Sequence, residues 1–215
     1  MRRTGFGSVL CLGVLAAALA VTAGCGRNVP FDLMQEGASV KPGSIAVVSG
    51  GTDDADVRFA EHLTKALQQK STLKVLSQAE VDKRAGKYPV NLKTSLPPKD
   101  QDHPVWYAPN EKAKIDAMQA SLKTDYVLVV WVANLTRHTR TSNQGTSVSY
   151  GASIIGNLVH YGPGKAVGYT NFGASKSQSC CLFGGSEGKD IDDLLRFSAE
   201  KIADAVAERT RTARP

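Results

Sequence analysis

The sequence lacks the spacings by which most catalytic and metal sites announce themselves. One G-x-S-x-G occurs, Gly184-Gly185-Ser186-Glu187-Gly188, but no histidine follows it in the chain, and no G-x-x-x-x-G-K-[ST] phosphate loop is present. The four histidines, His62, His103, His138 and His160, form neither H-x-x-x-H nor H-x-x-E-H. Arg137 and Arg140 flank His138, and their charge opposes cation binding. Only four cysteines are present, and the adjacent pair Cys180-Cys181 has neither C-x-x-C spacing nor a nearby histidine. Two neighbouring thiolates rarely serve one tetrahedral zinc. No metal, cofactor or enzymatic activity is therefore expected. In an oxidising compartment three states of Cys180 and Cys181 stay open: reduced thiols, a strained vicinal disulfide, or a bridge between subunits. The formal charge of +6 is scattered, without the concentrated basic stripe that nucleic acid requires.

What is present begins with an export leader. Met1-Arg2-Arg3 is cationic, Gly7 to Val21 is apolar, and Thr22-Ala23-Gly24-Cys25 closes the run in small residues. The apolar run falls short of the about 20 residues a spanning helix needs. Ala23-Gly24-Cys25 resembles the lipobox of bacterial lipoproteins, with Thr22 where leucine is usual. That resemblance implies a removed leader, 1–24, with acyl chains (palmitate among them) on Cys25. An ordinary cleaved signal is the alternative. Gly26, rather than aspartate, resembles the pattern directed to an outer membrane, facing the periplasm. Residues 25–43 carry Pro30, Gly37, Pro42 and Gly43 without a sustained period and read as a lipidated tether. Phe31, Leu33 and Met34 are its candidates for docking on the domain.

A single α/β domain is expected over 44–208, followed by a basic tail, 209–215. Ser44 to Ser49 reads as a strand. Val57, Ala60, Leu63, Thr64 and Leu67 then give a helical stripe, with Thr52, Asp53 and Asp54 as cap candidates. Leu73 to Leu76 is a second strand, and Gln78 to Arg84 a short helix stopped by Gly86. This β-α-β order favours a parallel pair with a right-handed crossover. Asn110 caps a helix whose stripe is Ile115, Met118 and Leu122. The run Asp125 to Asn134 is a strand buried on both faces. Its continuation through Arg140 turns basic and β-branched, and so runs past the core into solvent.

Val148, Tyr150, Ala152 and Ile154 alternate with Ser147, Ser149, Gly151 and Ser153, the period of a half-exposed strand. Gly156 marks a phase change and reads as a bulge. Gly162-Pro163-Gly164-Lys165 is a turn, and Ala166 to Ala174 returns as a strand. Ser175 to Gly188 reads as a small-residue loop, and Asp190 caps a closing helix. Phe197 lies off that helix's apolar stripe and is a candidate contact. The whole is a mixed sheet of about five strands, β-α-β-α-β and then an antiparallel meander.

A proline-rich insert, 87–109, holds Pro89, Pro97, Pro98, Pro104 and Pro109, and excludes regular helix or central strand. It also holds His103, Trp106 and Tyr107, which suit a binding surface. Trp106 plugging the loop onto the core is the equal alternative.

The strands Ile45-Ala46-Val47-Val48, Leu73-Lys74-Val75-Leu76 and Asp125-Tyr126-Val127-Leu128 resemble one envelope group, as do the Gly162-Pro163-Gly164-Lys165-Ala166-Val167 hairpin and the closing helix. That group includes the curli-secretion lipoprotein, the lipoprotein activator of penicillin-binding proteins and the TolB amino-terminal domain. The resemblance covers about Ser44 to Val206 and rests on apolar pattern. It implies a small mixed sheet packed by helices in periplasmic lipoproteins that bind other envelope proteins, with no shared catalytic residues. The chain lacks the length and paired spanning hairpins of the curli pore. Three functions follow as expectations. The first is a membrane-anchored, non-catalytic accessory factor in envelope assembly or regulation. The second is a structural subunit of an oligomeric complex, a homo-oligomer included, and the third a small-ligand or glycan binder.

Overall fold

The computed structural model describes residues 28–34, 40–89, 91–92, 109–143, 145–160, 165–180 and 187–211. The leader, Cys25, His103, Trp106, Tyr107 and Cys181 lie outside the described residues. Strands β1 (Val29–Leu33), β2 (Ser44–Ser49), β3 (Lys74–Val75), β4 (Tyr126–Ser142), β5 (Gly145–His160) and β6 (Lys165–Cys180) form one sheet in the order β1-β6-β5-β4-β2-β3. Helices α1 (Asp54–Lys70), α2 (Gln78–Ala85), α3 (Pro109–Leu122) and α4 (Glu187–Arg211) cover it. The pairs β2–β3 and β2–β4 are parallel, and β4–β5, β5–β6 and β1–β6 are antiparallel. The expected mixed sheet, meander and closing helix are all present.

The run that opens β4 sits at the centre because every residue from Tyr126 to Trp131 is apolar and buried. Alternate side chains feed two cores. Tyr126, Leu128 and Val130 meet Phe59, Leu63 and Leu67 of α1 and Leu195, Ile202 and Val206 of α4. Val127, Val129 and Trp131 face the other way, toward Val81 of α2 and Met118 and Leu122 of α3. Helices α1 and α4 lie side by side, joined by His62–Asp192 at 2.8 Å and Lys70–Asp204 at 2.9 Å. Helix α2 starts in a capping box, with the Ser77 hydroxyl accepting from the Glu80 N–H. It stops at Gly86, whose φ of 73° favours glycine.

Four expectations need correction. The tether contains a sixth strand: Val29 and Phe31 are buried in β1, and Asp32 and Leu33 pair with Tyr169 and Gly168. Gly156 is no bulge, since it keeps register between Val130 and Thr170. A Cβ there would stand 2.7 Å from Val130 Cγ1 and 2.8 Å from Thr170 Cγ2, so glycine is required for packing. The register shifts fall instead between Val132 and Asn134 and between Leu158 and Val159. The supposed loop from Ser175 continues β6 to Cys180, because β5 offers it a ladder. Finally, α4 runs to Arg211, so Arg209 to Arg211 belong to the helix; Asp190 lies in its first turn and bonds Lys176 rather than serving as its cap.

Candidate functional site

Strand β2 ends at Ser49, opposite Val130, whereas β4 runs on to Ser142. Two groups ease the transition. Gly50 N–H donates to Val130 O at 2.7 Å, and the buried Asp56 carboxylate accepts from Val132 N–H at 2.7 Å. Asp56 thereby takes the place a sheet neighbour would fill. Beyond it, β4, β5 and β6 form a three-stranded ribbon. At about 3.3 Å per residue, the part from Ala133 to Ser142 extends about 30 Å.

The two faces of the ribbon differ. Tyr150, Ala152 and Phe172 turn toward α4 and are buried. At the base of that face Lys176 bonds Asp190 at 3.1 Å and Asp193 at 3.0 Å. Burial by itself lowers the Lys176 pKa, but the hydrogen bonds to Asp193 and Asp190 outweigh it and hold it above the ordinary lysine value. The same bond to Lys176, aided by the charges of Lys176 and Arg196, holds Asp193 below the ordinary carboxylate value.

By register the opposite face carries Asn134, Thr136, His138 and Arg140 on β4, beside Ser153, Gly151, Ser149 and Ser147 on β5. On β6 it continues through Gly173, Ser175 and Ser177. Asn134, His138, Arg140, Ser175 and Ser177 are exposed. Helices α2 and α3 cover this face only as far as Trp131 and Ile155, and no described helix lies over the rest. The result is a pleated sheet surface of hydroxyl, amide, imidazole and guanidinium groups. It is suited to hydrogen bonding along an extended partner.

The sequence candidates are dispersed. Phe197 is 41% exposed on α4, with Lys201 Nζ 5.5 Å from the centre of its ring. Cys180 ends β6 opposite Thr146. His62 is a rim residue bonded to Asp192, and His160 stacks on Tyr126 with ring centres 4.8 Å apart. His138 is exposed on the ribbon face, opposite Ser149. Among the described residues no group of three or more His, Cys, Asp or Glu is placed to hold a metal ion. No described helix is long and apolar enough to cross a membrane.

A groove of about 630 Å³ opens at the other end of the sheet, lined in part by Gly43, Ser44, Lys74, Arg84, Lys123 and Asp125. Its carboxylate is already engaged: Asp125 Oδ2 accepts from Ser44 N–H at 2.7 Å and Ser44 Oγ at 2.6 Å. The Ser44 hydroxyl first, and then its N–H, hold Asp125 below the ordinary carboxylate value. Arg84 bonds Glu80 and the Leu122 carbonyl. The groove is an open surface between strand ends, and its Asp125, Ser44 and Arg84 side chains are engaged in bonds that serve the fold. The ribbon was only partly foreseen. Alternation in β5 marked a half-exposed strand, but only the register of three strands assembles the face.

No family model matches the chain, and no curated protein matches it. Solved structures align with much of the chain at low scores. A PelC dodecamer from Paraburkholderia phytofirmans aligns with a TM-score of 0.42 and 14% identity, over 80% of this chain and 97% of that one. Lipoprotein GNA1162 from Neisseria meningitidis aligns at 0.41 and 17%, over 76% and 99%. A putative lipoprotein from Caulobacter crescentus CB15 aligns at 0.38 and 12%, over 78% and 88%. At these identities and scores the likeness assigns neither a family nor a function.

Proposed function

We propose that this chain is a lipid-anchored, non-catalytic protein of the bacterial cell envelope whose β4–β6 ribbon docks a protein partner. The observation that carries the reading is the ribbon itself. Its face from Asn134 to Arg140 has no described helix over it and is lined by small polar groups. A sheet that only stabilised its own fold would gain by covering that face. The Ala23-Gly24-Cys25 signal supports the anchor, and Gly26 supports an outer-membrane destination facing the periplasm. Roles in envelope assembly or regulation fit both, as does the resemblance to the envelope group named above.

The test is photocrosslinking in living cells from p-benzoylphenylalanine placed at Ser149 or Ser177. The reading expects one discrete protein adduct from both positions, and none from Asp82, an exposed residue of α2. Equal adducts from all three positions, or none, contradict it.

A second reading, a structural subunit of a homo-oligomer, has one specific observation in its favour. Strands β4 and β6 form opposite sides of the ribbon, with β5 between them. One copy's β6 can therefore approach the next copy's β4 head to tail, which is the geometry that builds rings or filaments. Adducts from Ser177 that contain only this chain, with multiples of its mass in light scattering, favour this reading.

A further inference from the structure

The ribbon has an open strand edge along β4. Strand β2 stops pairing at Val130, and the fold itself takes up the next two outward groups: Gly50 N–H donates to Val130 O, and Val132 N–H donates to Asp56 Oδ1. Both groups point away from β5. The register then slips by one residue between Val132 and Asn134, so beyond it the odd-numbered residues turn their backbone outward. Leu135, Thr139 and Thr141 therefore aim N–H and C=O away from β5, on a side where no described strand lies. All three are exposed, and Leu135 is one of two exposed large hydrophobics among the described residues. An open edge of this kind is a template for an added strand.

The chemistry of the edge selects what can add to it. Although the chain has 20 acidic residues, none stands between Asp125 and Glu187, so β4, β5 and β6 carry no carboxylate of their own. His138 and Arg140 lie on one face of the edge strand, opposite Ser149 and Ser147, and both are exposed. Arg137, on the other face, meets Glu187 of α4 at 3.8 Å, and both side chains stay largely solvated. Charges on an edge guard it against pairing with a like strand. A second copy's β6 would bring Lys176 and no acid to this edge, adding like charge. An acidic strand meets Arg140 with the favourable sign, and His138 offers it a ring N–H. An anionic lipid surface has acceptors for the cations and the N–H groups, but no ladder of donors at strand spacing for the carbonyls.

We propose that the β4 edge from Leu135 to Thr141 takes up an extended acidic segment of a partner protein as an added strand. The inference deepens the docking reading given above and rests on it. Main-chain bonds to Leu135, Thr139 and Thr141 hold the segment, and its side chains give the selectivity. Carboxylates stand opposite His138 and Arg140, and an apolar side chain lies beside Leu135 on the other face. Leu135 and His138 are three positions apart, and His138 and Arg140 two. The partner segment therefore reads apolar-x-x-acid-x-acid, or the reverse where it runs antiparallel to β4.

The test uses the full chain in living cells, with p-benzoylphenylalanine at Thr141 and, in parallel, at Ser149 and Ser177. The expected result is a protein adduct at Thr141 whose crosslinked peptide, sequenced by mass spectrometry, contains that pattern. Thr139→Pro removes an outward N–H, so the ladder to β5 survives and the far-UV circular dichroism matches the parent. It should lower the Thr141 adduct at least tenfold. Arg140→Glu, an exposed change that spares the fold, should do the same, whereas Arg140→Lys should keep the adduct within threefold. An adduct at Thr141 that survives either Thr139→Pro or Arg140→Glu, or whose peptide lacks the acidic pair, overturns the added strand. So does an adduct containing only this chain, or only phospholipid, which assigns the edge to a second copy or to the membrane. Adducts from Ser149 and Ser177 with none from Thr141 overturn the added strand and leave the docking reading standing. No adduct from any of the three positions overturns both.

Discussion

Replacing Phe31 by alanine should release strand β1 while leaving most of the domain folded. Phe31 is 4% exposed, and its ring lies directly over Gly168, where a Cβ would collide with it. Truncating a buried phenylalanine costs about 3–5 kcal/mol. Apart from its ladder to β6 and the buried Val29, β1 is held by a few individual ties. Met34 N–H donates to Val167 O at 3.0 Å, Asn28 holds Gly173, and the Arg209–Asp32 pair is largely solvated. A solvated ion pair contributes at most about 1 kcal/mol. Because β1 is an edge strand, most of the lost energy should appear as local opening. At about 1.4 kcal/mol per decade, protection of the β1 amides against hydrogen exchange should fall at least a hundredfold. Amides of β4 should change far less. Exchange followed by mass spectrometry on Cys25→Ser protein reads both regions in one sample. Protection of β1 within threefold of the parent would refute the reasoning. In the acylated protein the same substitution frees the chain only as far as Val40, which stays buried in the core, so the domain could move up to about 50 Å from its anchor.

Three further outcomes follow from the packing. Leu128→Ala removes a fully buried side chain between α1, α4 and the sheet, and should cost about 2–5 kcal/mol in urea denaturation; a loss under 1 kcal/mol would contradict its central place. Ser77→Ala breaks the capping box of α2 and should cost about 1 kcal/mol, with helix α2 exchanging faster than α1. Asp193 has a folded pKa below its ordinary 3.8, so its contribution is complete above that pH and is lost as pH falls through the folded value. Asp193→Asn should therefore be the less stable protein at neutral pH and show a shallower loss below pH 3.8; parallel acid limbs would contradict the ion pair with Lys176.

The parts of the fold that were legible in the sequence are those where burial alone dictates residue type. Tyr126 to Trp131 had to be apolar on both faces, and the stripe of α1 had to recur at helical spacing. Strand β1 was hidden because Pro30 sits within it and Gly37, Pro42 and Gly43 follow, a composition shared with linkers. An edge strand tolerates such a proline, since one side of its backbone makes no ladder bonds. The alternation of Val29, Phe31 and Leu33 was the signal available. Ser175 to Ser179 carries no apolar period at all, and it becomes a strand because β5 lies beside it. The docking face has the same origin: serines and glycines acquire meaning only through register. Phe197 was legible as an outlier on its helix.

The whole account leans on fatty acylation of the mature amino terminus, and intact mass of the protein extracted from its native membranes tests that most directly. The account predicts a chain beginning at Cys25 and heavier than its sequence by a diacylglycerol group and an amide-linked acyl chain. A chain beginning at Met1, or one beginning at Cys25 without added acyl mass, would contradict it.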